Sequence, residues 1–380
     1  MASVHNHYFS HGGISVKKLR LGVSIAAVLA LGLTACASNN PTGSGTASQA
    51  PQQQQLSGTL NGGGASSQEA AMTAWIDAYR AIQPNVNVQY NPVGSGSGRK
   101  GFIAGQYSFA GSDAALKDDE KQQAQQQCGP DGAFQIPAYI SPIAVAYNLP
   151  GIDGHLQMDA NTIADIFNKK ITKWNDPKIA SQNQGKNLPD LAIITVHRSD
   201  DSGTTENFTD YLSVAAKDSW SYGKVQTWPK EITAENAQGT SGVVNLVKQR
   251  EGAITYADAS AITGLGSVAV KVGDAYVPFS EEAAAKAVET AQRVGTGNDM
   301  AVKLDRATTQ AGVYPVVLVS YHIYCSSYKD QATVDLIKSF GEYVVSDQGQ
   351  KAAASAAGNA PLSAAMQAEA KKSIESIKVQ

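Results

Sequence analysis

The stretch from Leu56 to Asp113, LSGTLNGGGASSQEAAMTAWIDAYRAIQPNVNVQYNPVGSGSGRKGFIAGQYSFAGSD, decides the fold. Leu56 to Leu60 reads as a short strand that runs into the glycine loop Gly62-Gly63-Gly64-Ala65-Ser66-Ser67. Ser66-Ser67-Gln68-Glu69 has the form of a capping box, with Ser66 as N-cap and Glu69 three residues on. Met72, Trp75, Tyr79 and Ile82 follow at helical spacing, and Pro84 stops that helix. Val86, Val88 and Tyr90 alternate as a strand, and the loop Gly94-Ser95-Gly96-Ser97-Gly98 comes next. Gly98 to Gln106 resembles a helix start, and Phe109 to Asp113 a strand end or tight turn. Strand, loop and helix therefore recur, the pattern of an α/β domain with a largely parallel sheet. Ligands of such sheets sit at the carboxyl ends of strands beside helix N-termini, where these glycine loops fall.

The remainder extends the pattern. Ile136 to Asn148 is an apolar strand, Asn161 to Trp174 a helix and turn, and Asp190 to His197 a strand with Arg198 at its end. Thr205 to Leu212 and Val243 to Lys248 read as helices, Gly252 to Tyr256 as a strand, and Thr333 to Ser346 as an amphipathic helix. Tyr314 to Tyr324 is a second long apolar strand. Long strands near residues 140 and 320 predict two crossovers between two lobes. The expected divisions are lobe I at 57–140 and 318–380, and lobe II at 141–317; a single larger α/β domain is the alternative.

Five stretches offer hydroxyls, glycine backbone or one charge: 62–67, 94–98, Ala110-Gly111-Ser112-Asp113, Arg198 to Thr205, and Gly239-Thr240-Ser241-Gly242. Together they describe a pocket for a tetrahedral oxyanion. A guanidinium such as Arg198 fits one bidentately, although taken alone the plainer reading of Arg198 is a surface side chain paired with Asp200 or Asp201. Ser202-Gly203-Thr204 precedes a helix, where capping and anion binding use the same N–H groups. Asp113 is the odd member, and an N-cap for the turn at 114–116 is its plainer reading. A carboxylate facing an anion makes sense where the anion brings a proton, as phosphate does near neutral pH and sulfate does not. One such hydrogen bond can discriminate by roughly 10⁴–10⁵.

Lys17, Lys18 and Arg20 precede the apolar run Leu21 to Leu33 and then Leu33-Thr34-Ala35-Cys36. The run is too short to span a bilayer and reads as a secretory signal over residues 1–35. Its end resembles a bacterial lipobox, which implies cleavage before Cys36, a lipid on its thiol and anchoring at the outer face of the membrane. Residues 36–56, rich in Ser, Thr, Gly, Gln and Pro, read as a flexible tether. The mature chain would carry 27 basic against 33 acidic side chains, a net charge of −6. No basic patch with interleaved aromatics appears, which disfavours nucleic acid as a partner. Cys128 and Cys325 are then the only other cysteines, and two thiols in an exported protein favour one disulfide over two buried free thiols.

These motifs resemble the phosphate-binding lipoproteins of bacterial phosphate ABC importers, especially the actinobacterial ones. The resemblance spans about residues 57–364 and includes GGGASS at 62–67, GSGSG at 94–98, FAGSD at 109–113, FNKKITKWND at 167–176 and HRSDDSGTT at 197–205. It implies a type II periplasmic-binding-protein fold with two α/β lobes and two hinge crossovers. It implies phosphate contacts at Ser66, Ser67, Ser95, Asp113, Arg198, Ser202, Gly203 and Thr204. Several relatives have Thr-Phe where this chain has Ser66-Ser67, so Ser67 would match through its backbone N–H. Transmembrane permease subunits are the implied partner, and no cofactor, metal or catalysis is expected of a monomer. The rival readings are a receptor for sulfate or molybdate, which Asp113 disfavours, and a secreted phosphatase or serine hydrolase. No Gly-x-Ser-x-Gly elbow and no metal-ligand spacing supports the latter.

Overall fold

The computed structural model describes residues 55–380. The signal at 1–35, Cys36 and the tether up to residue 54 lie outside the described residues. The elements run β1 (Gly58–Gly64), α1 (Glu69–Ile82), β2 (Val86–Asn91), α2 (Ser95–Ile103), β3 (Phe109–Ser112), α3 (Asp118–Cys128) and β4 (Ala133–Tyr147). Then follow β5 (Leu156–Met158), α4 (Ala160–Phe167), α5 (Pro177–Gln182), β6 (Ile194–Arg198), α6 (Gly203–Ala215), β7 (Glu235–Ala237), α7 (Gly239–Lys248) and β8 (Ala253–Asp258). The chain continues with β9 (Gly266–Val272), β10 (Ala275–Val277), α8 (Glu281–Glu289), β11 (Gln292–Arg293), β12 (Val302–Lys303) and β13 (Val317–Cys325), and α9 (Gln331–Val345), α10 (Asp347–Ala357) and α11 (Ala364–Glu375) follow.

Strands β2, β1 and β3 pair in parallel, as do β6 with β7 and β8. The sheet is nevertheless mixed rather than largely parallel, because β13 and β4 lie antiparallel in its middle. Both read as unbroken apolar runs because all of β13 and nearly all of β4 is buried, the signature of strands covered on two faces. Strand β4 changes partner along its length. Residues 133–142 pair with β13, and 143–147 pair with β8. The change falls at Pro142, which has no N–H to give either ladder, and Ile143 N–H turns to Val316 O at 2.7 Å. One strand thus serves two halves of the sheet, which gives the two-lobe α/β architecture.

The α1 stripe of Met72, Trp75 and Tyr79 is buried. A disulfide joins Cys128, at the end of α3, to Cys325, at the end of β13, across a sequence separation of 197. Among the described residues, no helix is long and apolar enough to cross a membrane.

Candidate functional site

Strand β1 does not stop at Leu60; it carries on through Gly62, Gly63 and Gly64. The extension requires glycine, since a Cβ at Gly64 would sit 1.9 Å from the carbonyl oxygen of Gly111 on β3. The predicted capping box does not form. Ser66–Gln68 is a 3-10 turn, and α1 starts after Gln68 with no side-chain cap. The two hydroxyls go to partners distant in sequence. Ser66 Oγ accepts from Thr240 N at 3.0 Å and lies 3.1 Å from Thr240 Oγ1. Ser67 Oγ donates to Asp113 Oδ1 at 2.6 Å, so its side chain reaches the Asp113 carboxylate.

Asp113 is the hub. It follows β3 and caps no helix, since α3 begins only at Asp118. Its side chain is buried and accepts from Ser67, from Ser320 Oγ at 2.5 Å and from Thr204 Oγ1 at 3.0 Å. Its own N–H donates to Ser95 Oγ at 3.1 Å, and its carbonyl accepts from Asn207 Nδ2 at 2.7 Å. Burial pushes the carboxyl above the ordinary aspartate value, against the opposing pull of the three hydroxyls and the Arg198 charge.

Arg198 closes β6 and is 3% exposed, so it is no surface side chain. It does pair with Asp200, through Nε to Oδ1 at 2.8 Å and Nη2 to Oδ2 at 2.6 Å. Asp200 is fixed in turn by Gly239 N at 3.1 Å. Two of the five guanidinium donors are thereby used, and Nη1 faces Thr204 Oγ1 at 3.5 Å. Ser202 caps α6 by accepting from Thr205 N at 3.1 Å, and Gly203 opens that helix.

The structure therefore brings Ser67, Ser95, Asp113, Arg198, Gly203 and Thr204 into one buried cluster. A Cβ on Gly203 would fall 2.5 Å from Ser95 Oγ and 2.7 Å from Asp113 Cβ. Ser66 joins through Thr240 and Ser202 through its cap. Gly96 N donates to Asp201 O at 2.9 Å, and Lys100 pairs with Asp201 at 2.9 Å, closing the rim. Beside the cluster opens a groove of about 1410 Å³, lined in part by Arg99, Asp113, Glu206 and Arg306. Sequence reasoning missed Ser320 and Asn207. Ser320 had a signal, as an isolated hydroxyl inside the apolar run of β13; Asn207 had none beyond its place one turn into α6. Among the described residues, no group of His, Cys, Asp and Glu could hold a metal ion.

A two-lobe fold with a shared crossover strand, and a buried polar cluster gathered at the ends of β3 and β6, define a substrate-binding protein of the periplasmic-binding type. The profile described as the PBP superfamily domain matches residues 47–348. The chain is 36% identical over 320 residues to phosphate-binding protein PstS 3 of Mycobacterium leprae, covering 81% of this chain and 85% of the relative. It is 34% identical over 338 residues to PstS 3 of Mycobacterium tuberculosis, covering 86% and 90%. Among solved structures, a high affinity periplasmic phosphate-binding protein bound with phosphate superposes with a TM-score of 0.69 at 21% identity, covering 83% of this chain and 93% of that one. A putative phosphate ABC transporter substrate-binding protein of Clostridium perfringens gives 0.58 at 20% identity, covering 79% and 98%. The chain belongs to the PBP superfamily and, within it, to the family of the phosphate-binding PstS proteins. As a member of a family of binding proteins it is a substrate-binding protein and not an enzyme.

Proposed function

We propose that this protein captures inorganic phosphate outside the cytoplasm and hands it to the transmembrane subunits of an ABC importer, its lobes closing around the anion. The observation that carries the reading is the buried Asp113, ringed by hydroxyl donors beside the free edge of Arg198. Ser66, Ser95 and Ser202 offer hydroxyls, Ser67, Gly203 and Thr204 backbone N–H groups and Arg198 its guanidinium to the phosphate oxygens, and Asp113 accepts the phosphate proton. Five charge-assisted hydrogen bonds give roughly 8–15 kcal/mol gross, so micromolar or tighter binding survives an association cost of at least ~4 kcal/mol. Lobe I comprises 57–140 and 318–380, and lobe II 141–317, with the hinge at the Pro142 partner change. Cys36 carries the lipid that tethers a monomer to the membrane. Equilibrium dialysis against radiolabelled phosphate tests the reading: one phosphate per chain supports it, and no retention by protein stripped of carried-over phosphate refutes it.

A further inference from the structure

Ser320, His322 and Tyr324 alternate along β13, so the two-residue repeat of a strand puts all three side chains on one face. All three are fully buried. A continuous file of hydrogen bonds runs from them to Asp113. Tyr324 Oη lies 3.0 Å from His322 Nδ1, and His322 Nε2 lies 3.1 Å from Gln68 Oε1. Gln68 Nε2 then donates to Ser320 Oγ at 2.6 Å, and Ser320 Oγ to Asp113 Oδ1 at 2.5 Å.

The direction of the file is set along its length. The carbonyl oxygen of Tyr321, 3.3 Å from Gln68 Nε2, can only accept, so that end of the amide is the nitrogen. Gln68 Oε1 therefore faces His322, which donates through Nε2 and accepts from Tyr324 at Nδ1. Burial holds the His322 imidazole down at about 3 and the Tyr324 phenol well above its ordinary value, so neither partner reverses role near neutral pH. Having received an N–H from Gln68, Ser320 turns its own O–H to Asp113.

We propose that Gln68 and Ser320 are positioning residues that set the anion specificity of the site. The relay, with Ser67, fills Oδ1 of Asp113 with inward donors, so that Oδ2, which accepts from Thr204 Oγ1 at 3.0 Å, keeps its second lone pair for a proton from the ligand. This inference rests on the phosphate reading above. An Asp113 free to carry its proton would offer an O–H to an unprotonated oxyanion such as sulfate; the relay holds the carboxylate in its acceptor form. The charged and titratable groups around Asp113 are Arg198 with Asp200, Arg99 with Glu120 through Ser112, Arg306 through Asn207, and Tyr90. None of them contacts Ser320 or Gln68 directly among the hydrogen bonds of the relay.

The test titrates the full chain with phosphate and with sulfate from about pH 5.5 to about pH 8.5, alongside Ser320→Ala, Ser320→Thr and Gln68→Met. Loss of one hydrogen bond to the charged form moves the acid limb of phosphate binding upward by about one pH unit in Ser320→Ala. That variant also gains sulfate binding at the acid end. Ser320→Thr keeps the hydroxyl and restores the wild-type profile. Gln68→Met, which touches no atom of Asp113, shifts the limb in the same direction by less. An unshifted limb in both Ser320→Ala and Gln68→Met, or a uniform loss at every pH, overturns the proposal. The carboxyl ¹³C titration of ligand-free Asp113 in wild type and Ser320→Ala decides it independently: a raised midpoint in the variant supports the relay, and equal midpoints overturn it. Wild type that binds no phosphate at any pH refutes the receptor reading instead, and the ¹³C comparison still decides the relay.

Discussion

Thr204 Oγ1 donates to Asp113 Oδ2 at 3.0 Å, tying the first turn of α6 to the end of β3 across 91 residues of chain. The contact joins a hydroxyl beside the end of β6 to the carboxylate beyond the end of β3, two strands in different halves of the sheet. Replacing that carboxylate by an amide removes an obligate acceptor and supplies an N–H donor. Asp113→Asn should bind phosphate more weakly and sulfate measurably. Discrimination falls from a ceiling of roughly 10⁴–10⁵ by at least about 100-fold. Competition titrations with both anions check this, and a variant still blind to sulfate would place selectivity elsewhere.

Arg198 and Asp200 form a buried fork, with side chains 2% and 8% exposed. Arg198→Ala should abolish phosphate binding and destabilise the fold by about 3–5 kcal/mol, because Asp200 is left charged and unpaired. The double variant Arg198→Ala, Asp200→Asn should recover much of that stability without recovering binding. Urea unfolding beside phosphate titration separates the two effects. Recovery of binding in the double variant contradicts the anchoring role of Arg198.

Gly203 stands where α6 meets Ser95 and Asp113, and a side chain there would overlap both. Gly203→Ala should weaken phosphate binding by more than about tenfold, a cost of at least ~1.4 kcal/mol. On the proposed hinge the melting temperature should change little, because opening of the lobes would relieve the overlap. A large drop in melting temperature would show the overlap to be felt in the core instead.

Asp258 closes β8, and its Oδ1 accepts from Tyr139 Oη at 2.9 Å and from Ser260 Oγ at 2.6 Å. Burial pushes this carboxyl up to about 6. A folded value above the unfolded one, about 3.9, means the native state holds the proton more tightly. The stabilising contribution is therefore complete below about pH 4 and lost as pH rises through about 6, an effect of roughly 3 kcal/mol. Asp258→Asn should flatten the dependence of unfolding free energy on pH in that window, as read by urea midpoints. An unchanged slope would mean that Asp258 does not titrate there.

The disulfide should act on stability alone. Its loop of 197 residues is worth up to about 5 kcal/mol on the chain-entropy model. Cys128→Ser with Cys325→Ser should lower the melting temperature and leave the phosphate-to-sulfate ratio unchanged. A changed ratio would mean that the end of β13 communicates with Ser320.

Much of this was legible in the chain. Hydrophobic period located α1, β2 and α9 to within a few residues, because each buries one stripe or one face. The glycine and hydroxyl loops identified the cluster, because anion donors and helix starts use the same residue types. The capping box at Ser66 misled because a local rule competed with distant partners: its hydroxyl meets Thr240, 174 residues away. The antiparallel middle of the sheet was hidden because β4 and β13 are buried on both faces, and an apolar run carries no record of strand direction. Ser320 was passed over for the same reason, as one hydroxyl in a run read only for its hydrophobicity.

Calorimetric titration with phosphate at neutral pH, followed by sulfate in excess, tests the central claim most directly, using protein first stripped of carried-over phosphate. The account predicts tight one-to-one phosphate binding and no heat from sulfate. Comparable binding of both anions would contradict the proton-accepting role of Asp113, and binding of neither would contradict the receptor itself.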